Sequence, residues 1–182
     1  MGIKIINIHM ARESTENIPD FKLPEPYTLR PHREGDIDTW VNVQQKSEEL
    51  VPISREVFLM NFGTSQRMLS ERQLFLCNGK GTPVGTATAW FDYHHKGKKY
   101  GRVHWVAIVP EERGKKLAKP LMTAVCKRLK ELGHDRIYLT TQPERIPAIS
   151  LYLKFGFKPD ILDDEEKKYW RQVKKSIKDL KF

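Results

Sequence analysis

The chain of 182 residues has only two cysteines, Cys77 and Cys126. They are far apart and show no paired spacing, which excludes a disulfide framework and a cysteine-based metal site. No Cys/His arrangement stands near either, so both read as core thiols, Cys77 on a strand and Cys126 on a helix. No apolar stretch approaches the roughly 20 residues that span a bilayer. The opening MGIKIINIHM is too short and too mixed for a secretory leader. A cytoplasmic location follows by default, with no membrane partner. No internal repeat or low-complexity segment is present. Acidic residues are in deficit, 23 against 32 basic ones, for a net charge of +9. That balance favours anionic partners without choosing among them, and plain solubility is the competing reading. His94 and His95 are too isolated for a metal site and read as solvated loop residues; no metal is expected.

What is present fits one α/β (α+β) domain large enough for a real core. Residues 1–26 read as an N-terminal extension. In it Ile3, Ile5 and Ile8 suit a short strand, and the three-proline segment from Ala11 to Pro26 suits a surface crossing. Tyr27–Pro31 reads as a first strand. Asp36 can cap a helix over 37–46, and a second helix fits 54–69, with Ser54 as its cap. Strands fit 73–78 and 84–91 as a hairpin around Gly79-Lys80-Gly81-Thr82, and a third antiparallel strand fits 100–109. Leu117, Leu121, Ala124, Val125, Leu129 and Leu132 recur at helical spacing over 116–132, and Gly133 stops that helix. Strand 136–141 follows a helical crossover and should run parallel to strand 100–109. A helix over 146–155 and a short strand from Phe157 close the domain at about residue 160. The segment 161–182 carries an apolar stripe (Tyr169, Trp170, Val173, Ile177, Leu180) that suits a helix packed on the domain; a homodimer contact is the minority reading.

The stretch VHWVAIVPEERGKKLAK, Val103 to Lys119, is the most informative. A strand ends at Pro110 and a short basic turn leads into a helix. Backbone N–H groups at a helix start have no partners within the helix, and the helix dipole adds partial positive charge, so such a turn binds phosphate. Lys115, Lys116 and Lys119 add full charges.

The order of elements, the turn Arg113-Gly114-Lys115-Lys116-Leu117-Ala118, and the later Ala148-Ile149-Ser150-Leu151-Tyr152 followed by Lys154-Phe155-Gly156-Phe157 together resemble the GCN5-related N-acetyltransferase superfamily. The resemblance covers about Tyr27 to Pro159. It implies a central mixed, mostly antiparallel sheet of six to seven strands flanked by helices, with the fourth and fifth strands, counted from Tyr27, splayed apart. It further implies acetyl-coenzyme A as cosubstrate and no metal. The backbone of Val106, Ala107 and Ile108 would pair with the pantetheine arm, and the N–H groups from Gly114 to Lys119 would hold the pyrophosphate. A backbone N–H near Ile108 would polarise the thioester carbonyl. Tyr152 matches the tyrosine proposed to protonate the departing thiolate. Arg145 stands where an asparagine usually contacts the cofactor. Lys116 replaces a usual glycine; in helical dihedrals its ammonium would reach a phosphate. Arg102 stands where some relatives have a glutamate base; His104, two residues on and on the same strand face, is the candidate base, with a water chain to solvent as the alternative.

The resemblance implies an N-acetyltransferase in which a small-molecule or peptide amine attacks directly in a ternary complex. The basic surroundings mildly favour an acceptor that carries a carboxylate or phosphate. Two other readings stand beside it: a non-catalytic acyl-coenzyme A sensor on the same fold, and a nucleic-acid binder motivated by the net charge. The tail cations alternate with Asp164, Glu165, Glu166 and Asp179 as on a solvated helix face, which argues against nucleic acid.

Overall fold

The computed structural model describes residues 6–177. Its strands are β1 (Ile8–Arg12), β2 (Thr28–Pro31), β3 (Gln73–Cys77), β4 (Pro83–Asp92), β5 (Tyr100–Ile108), β6 (Ile137–Thr141) and β7 (Lys158–Pro159). Its helices are α1 (Asp36–Ser47), α2 (Arg55–Phe62), α3 (Gln66–Arg72), α4 (Ala118–Glu131), α5 (Ile146–Lys154) and α6 (Asp164–Ser176). The strands form one sheet in the order β2-β3-β4-β5-β6-β1-β7. Only β5 and β6 run parallel, as a helical crossover requires; the other pairs are antiparallel. None of the described helices is long and apolar enough to cross a membrane.

Successive side chains of a strand point to opposite faces, and β3 shows how this builds two cores. Phe75 and Cys77 join Trp40 of α1, Phe58 and Phe62 of α2 and Leu69 of α3. Leu76 points the other way and joins Ala87, Ala89, Val103 and the α4 side chains Leu121, Val125 and Leu129. Both cysteines are free and buried, and burial pushes the Cys126 thiol up to about 12, so it is inert at neutral pH.

Three local readings are corrected. The helix expected over 54–69 is two, because Gly63 (φ 67°) ends α2 and the Ser65 hydroxyl caps α3 by accepting from Met68 N. Gly35, not Asp36, is the cap residue of α1; the Asp36 carboxylate instead takes both Nη atoms of Arg30 at 2.5 and 2.9 Å. His95 is not a solvated loop residue: it is buried, pairs Nε2 with Asp160 at 2.9 Å, and stacks on Tyr138 at 3.9 Å.

The N-terminal extension supplies the short strand expected around Ile8. Ile8–Arg12 is a strand inside the sheet, between β6 and β7 and antiparallel to both, with Ile8 opposite Thr141 and Met10 opposite both Leu139 and Pro159. Ile8 and Met10 are fully buried. The chain then crosses α4, where Phe21 N donates to Thr123 Oγ1 at 3.1 Å. Ile3 and Ile5, also assigned to this strand from the sequence, lie outside the described residues, as does Leu180 of the terminal stripe. Of that stripe, Trp170 and Val173 on α6 are buried in the main core, with Tyr169 and Ile177 packed against it. The buried Glu166 carboxylate ties α6 to β1 by accepting from His9 N, and also accepts from Leu162 N at 3.0 Å.

Candidate active site

β5 and β6 are paired only at Gly101–Ile137 and Arg102–Tyr138, after which they part. Beyond that point β5 keeps its β4 partner as far as Ile108. Val109 N donates to Val84 O on β4. N–H groups alternate sides along a strand, so those of Ile108 and Val106 turn the other way, into the gap. An extended ligand could pair with that free edge as an added strand does. At Trp105 the register shifts and the backbone turns left-handed (φ 50°), a bulge whose carbonyl accepts from Gln44 Nε2 at 3.0 Å.

The gap opens into a groove of about 880 Å³. It is lined by Val106–Ile108, by Arg113, Gly114 and Lys116–Pro120, by Arg145 and Tyr152 from α5 and its start, and by Gln44, Ser47 and Glu48 from α1. The crossing segment adds Phe21, Lys22 and Pro24. Of the residues singled out in the sequence, all but Lys115 and His104 line it. The Lys115 ammonium is engaged elsewhere, 2.7 Å from Glu112, whose carboxylate also takes the Tyr27 hydroxyl at 2.5 Å.

The turn before α4 has two left-handed residues, Gly114 (φ 82°) and Lys116 (φ 62°). This corrects the expectation of helical dihedrals at Lys116, and α4 itself begins only at Ala118. No side chain caps it, so its first N–H groups stay available at the groove. The left-handed region costs a non-glycine residue about 1–2 kcal/mol, and glycine's greater freedom in the unfolded chain returns about 0.5–1 kcal/mol of that. Lys116→Gly should therefore stabilise the protein by about 0.5–1 kcal/mol, read as a higher denaturation midpoint at unchanged m-value.

Tyr152 sits on the groove side of α5, and burial pushes its phenol up to about 12, with Arg145 pulling the other way. Arg145 is held by Glu48, both of whose oxygens accept from Nη2 at 2.6 Å, while its Nε is buried with no hydrogen-bond partner. Glu48 was not apparent in the sequence, because a polar residue at a helix end carries no signal of its own. His104 lies on the α2 side. Asn61 Nδ2 donates to Val57 O at 2.8 Å, which leaves Asn61 Oδ1 to accept from His104 Nε2 at 2.9 Å. The imidazole therefore keeps its proton on Nε2 and its lone pair on Nδ1. Burial first, and then the Arg102 charge, hold it well below the usual histidine range, so it is neutral at pH 7.

The family model described as "Acetyltransferase (GNAT) family" matches residues 37–157. Mycothiol acetyltransferase of Pseudarthrobacter chlorophenolicus is 29% identical over 150 residues, 78% of this chain and 45% of that protein. The chain spans about half the length of the curated relatives it matches at greatest extent. A GCN5-related N-acetyltransferase from Sphaerobacter thermophilus superposes with a TM-score of 0.68 at 22% identity, covering 85% of this chain and 48% of that one. The ribosomal-protein-S18-alanine N-acetyltransferase of Escherichia coli gives 0.60 at 18% identity, covering 74% and 79%. These two likenesses concern the fold.

Proposed function

The chain belongs to the GNAT acetyltransferase family, and on that premise we propose that it is an acetyl-coenzyme A-dependent N-acetyltransferase acting on a small-molecule or peptide amine. The observation that carries this reading is the groove between the parted strands, with a free strand edge, an uncapped helix start and Tyr152 along one cavity. The residues present fit the cosubstrate, which would supply an acetyl group already activated as a thioester. Val106 and Ile108 would hold the extended arm by their backbone. The N–H groups from Gly114 to Lys119 would take the pyrophosphate, with Arg113, Lys116 and Lys119 adding charge. Arg145, braced by Glu48, lines the same groove and adds its charge there. Tyr152 would donate toward the sulfur. Much of the rate would come from holding amine and thioester together. Residues 27–160 would carry this activity as one domain, with β1 and α6 completing the sheet and core around it. The two free, buried cysteines suit a reducing compartment, and the cytoplasm is the location we assign.

Calorimetric titration with acetyl-coenzyme A is the test. Dissociation constants in the micromolar range are expected, about tenfold weaker for dephospho-coenzyme A, and free thiol should be released once an acceptor is supplied. No binding at millimolar cofactor would overturn the reading. Binding without thiol release across an amine panel would turn it into a sensor.

A further inference from the structure

On the far face of the parted strands lies an arginine that makes no ion pair among the described residues, Arg102. Arg102 stands at the fork itself, paired in register with Tyr138 on β6 and Trp90 on β4. Registered neighbours share a face, and here it is the face covered by α2: Phe62 packs on Trp90 at 5.2 Å and on His104 at 5.5 Å. The Arg102 guanidinium lies 5.6 Å from the Tyr138 ring centroid, and its Nε is buried with no hydrogen-bond partner. Among the described residues it makes no ion pair. Nearby Asp92 is already engaged, accepting from His94 N at 2.8 Å and from the Tyr138 hydroxyl at 2.7 Å.

Arg72 also has a buried, unpartnered Nε over an aromatic ring, but its Nη1 donates to Ala89 O at 3.1 Å, and several other arginines are fully engaged. Arg30 is paired with Asp36, Arg145 with Glu48, Arg55 with Asp38 and Arg128 with Glu131, and Arg12 donates to three backbone carbonyls. Asp92 is close enough to feel the Arg102 charge but forms no ion pair with it, so a guanidinium held partly out of water is left incompletely compensated, which costs stability. An anionic ligand would repay that cost. Trp105 Nε1, a second buried donor without a partner, belongs to the aromatic cluster packed on this face. His104 lies two residues from Arg102 on β5, roughly 7 Å at the rise of a strand, and its free Nδ1 can accept from an amine.

We propose that Arg102 anchors an anionic group on the acceptor, so that the substrate is an amine bearing a carboxylate or phosphate a short chain away from the nitrogen. This rests on the transferase reading above and goes further by naming the acceptor class. The planar guanidinium fork suits two-oxygen recognition of either anion. In this role Arg102 is a specificity-determining residue that touches neither the thioester nor the cosubstrate's phosphates.

The test uses the full chain and matched probes: ω-amino acids from β-alanine to 6-aminohexanoate, the amino alcohols of the same lengths, and O-phosphoethanolamine. The acetyl-coenzyme A affinity of the wild type and of Arg102→Gln is measured first by calorimetry. If neither binds the cosubstrate, the transferase reading fails, and the anchor is judged from the thermal shift that each probe gives the two proteins. If both bind it, turnover decides. We expect kcat/KM at least tenfold higher for the anionic amine than for its neutral counterpart at the best length. Arg102→Gln should lower the anionic value about 30-fold, mainly through KM, and leave the neutral one within threefold. Arg102→Lys should recover part of the loss. In the thermal-shift arm the same anionic probes should raise the wild-type midpoint and not that of Arg102→Gln. O-phosphoethanolamine set against β-alanine shows which anion is preferred. Equal use, or an equal thermal shift, of anionic and neutral amines by the wild type would overturn the proposal. So would an equal loss on both classes in Arg102→Gln, which would mark a purely structural arginine.

Discussion

Replacing Tyr152 with phenylalanine should lower kcat about 10²-fold and leave the affinity for acetyl-coenzyme A within about threefold. The phenol is half-buried beside the groove, and its pKa of about 12 keeps the proton in place across the working pH range. That value also limits what the group can do. A thiol leaves with a pKa near ~8.5, and burial raises the phenol further above it, so full proton transfer from Tyr152 runs uphill. In the proposed reaction Tyr152 therefore acts by donating a hydrogen bond to the developing thiolate, and solvent completes the protonation. A single well-placed donor of this kind is worth about 10²–10³ in kcat. Phenylalanine keeps the ring and its contact with Phe157, whose centroid is 6.3 Å away, so the melting temperature should not move. Steady-state kinetics with calorimetry checks both halves, and an unchanged kcat would leave Tyr152 as a packing residue.

The second large effect is on folding. Met10→Asp should lower the melting temperature by about 6–20 °C, whereas Met10→Leu should stay within a few degrees. Met10 is fully buried in β1, opposite Leu139 on one side and Pro159 on the other. An unpaired carboxylate there loses its hydration and gains no partner, a cost of about 3–5 kcal/mol when a buried charge is left uncompensated. Each kcal/mol moves a domain of this size by about 2–4 °C. Circular-dichroism melts decide the matter; a small shift for the aspartate variant would mean that β1 is dispensable.

Much of this molecule could be read from local pattern. The phosphate turn, the amphipathic α4 and the hairpin of β3 and β4 each declare themselves within about twenty residues, and the turn and Tyr152 come together in one groove although neither motif alone specifies it. What escaped was decided elsewhere. The apolar positions of residues 54–69 keep helical spacing across the break, so only Gly63 followed by Ser65 could have betrayed it. His95 looked like a loop residue because its partners, Tyr138 and Asp160, are remote in sequence. Lys116 adopts a glycine's backbone conformation, which side-chain chemistry does not advertise. His104 was legible as a strand histidine, but its neutrality depends on burial and on its neighbour Arg102.

The place of β1 has a consequence in time. Its partners include Lys158, opposite Ala11. Chains are made from the N-terminus at about 5–20 residues per second, so Ile8–Arg12 would leave the ribosome some ~7–30 s before Lys158 exists. Until β6 (Ile137–Thr141) is made this apolar strand has no mate, and the site between β6 and β7 is complete only once Lys158 exists. The earliest of the described strands is thus among the last to dock, and closing so long a loop makes that step slow. Until then it is the segment of the nascent chain most exposed to capture by chaperones or by another copy of itself.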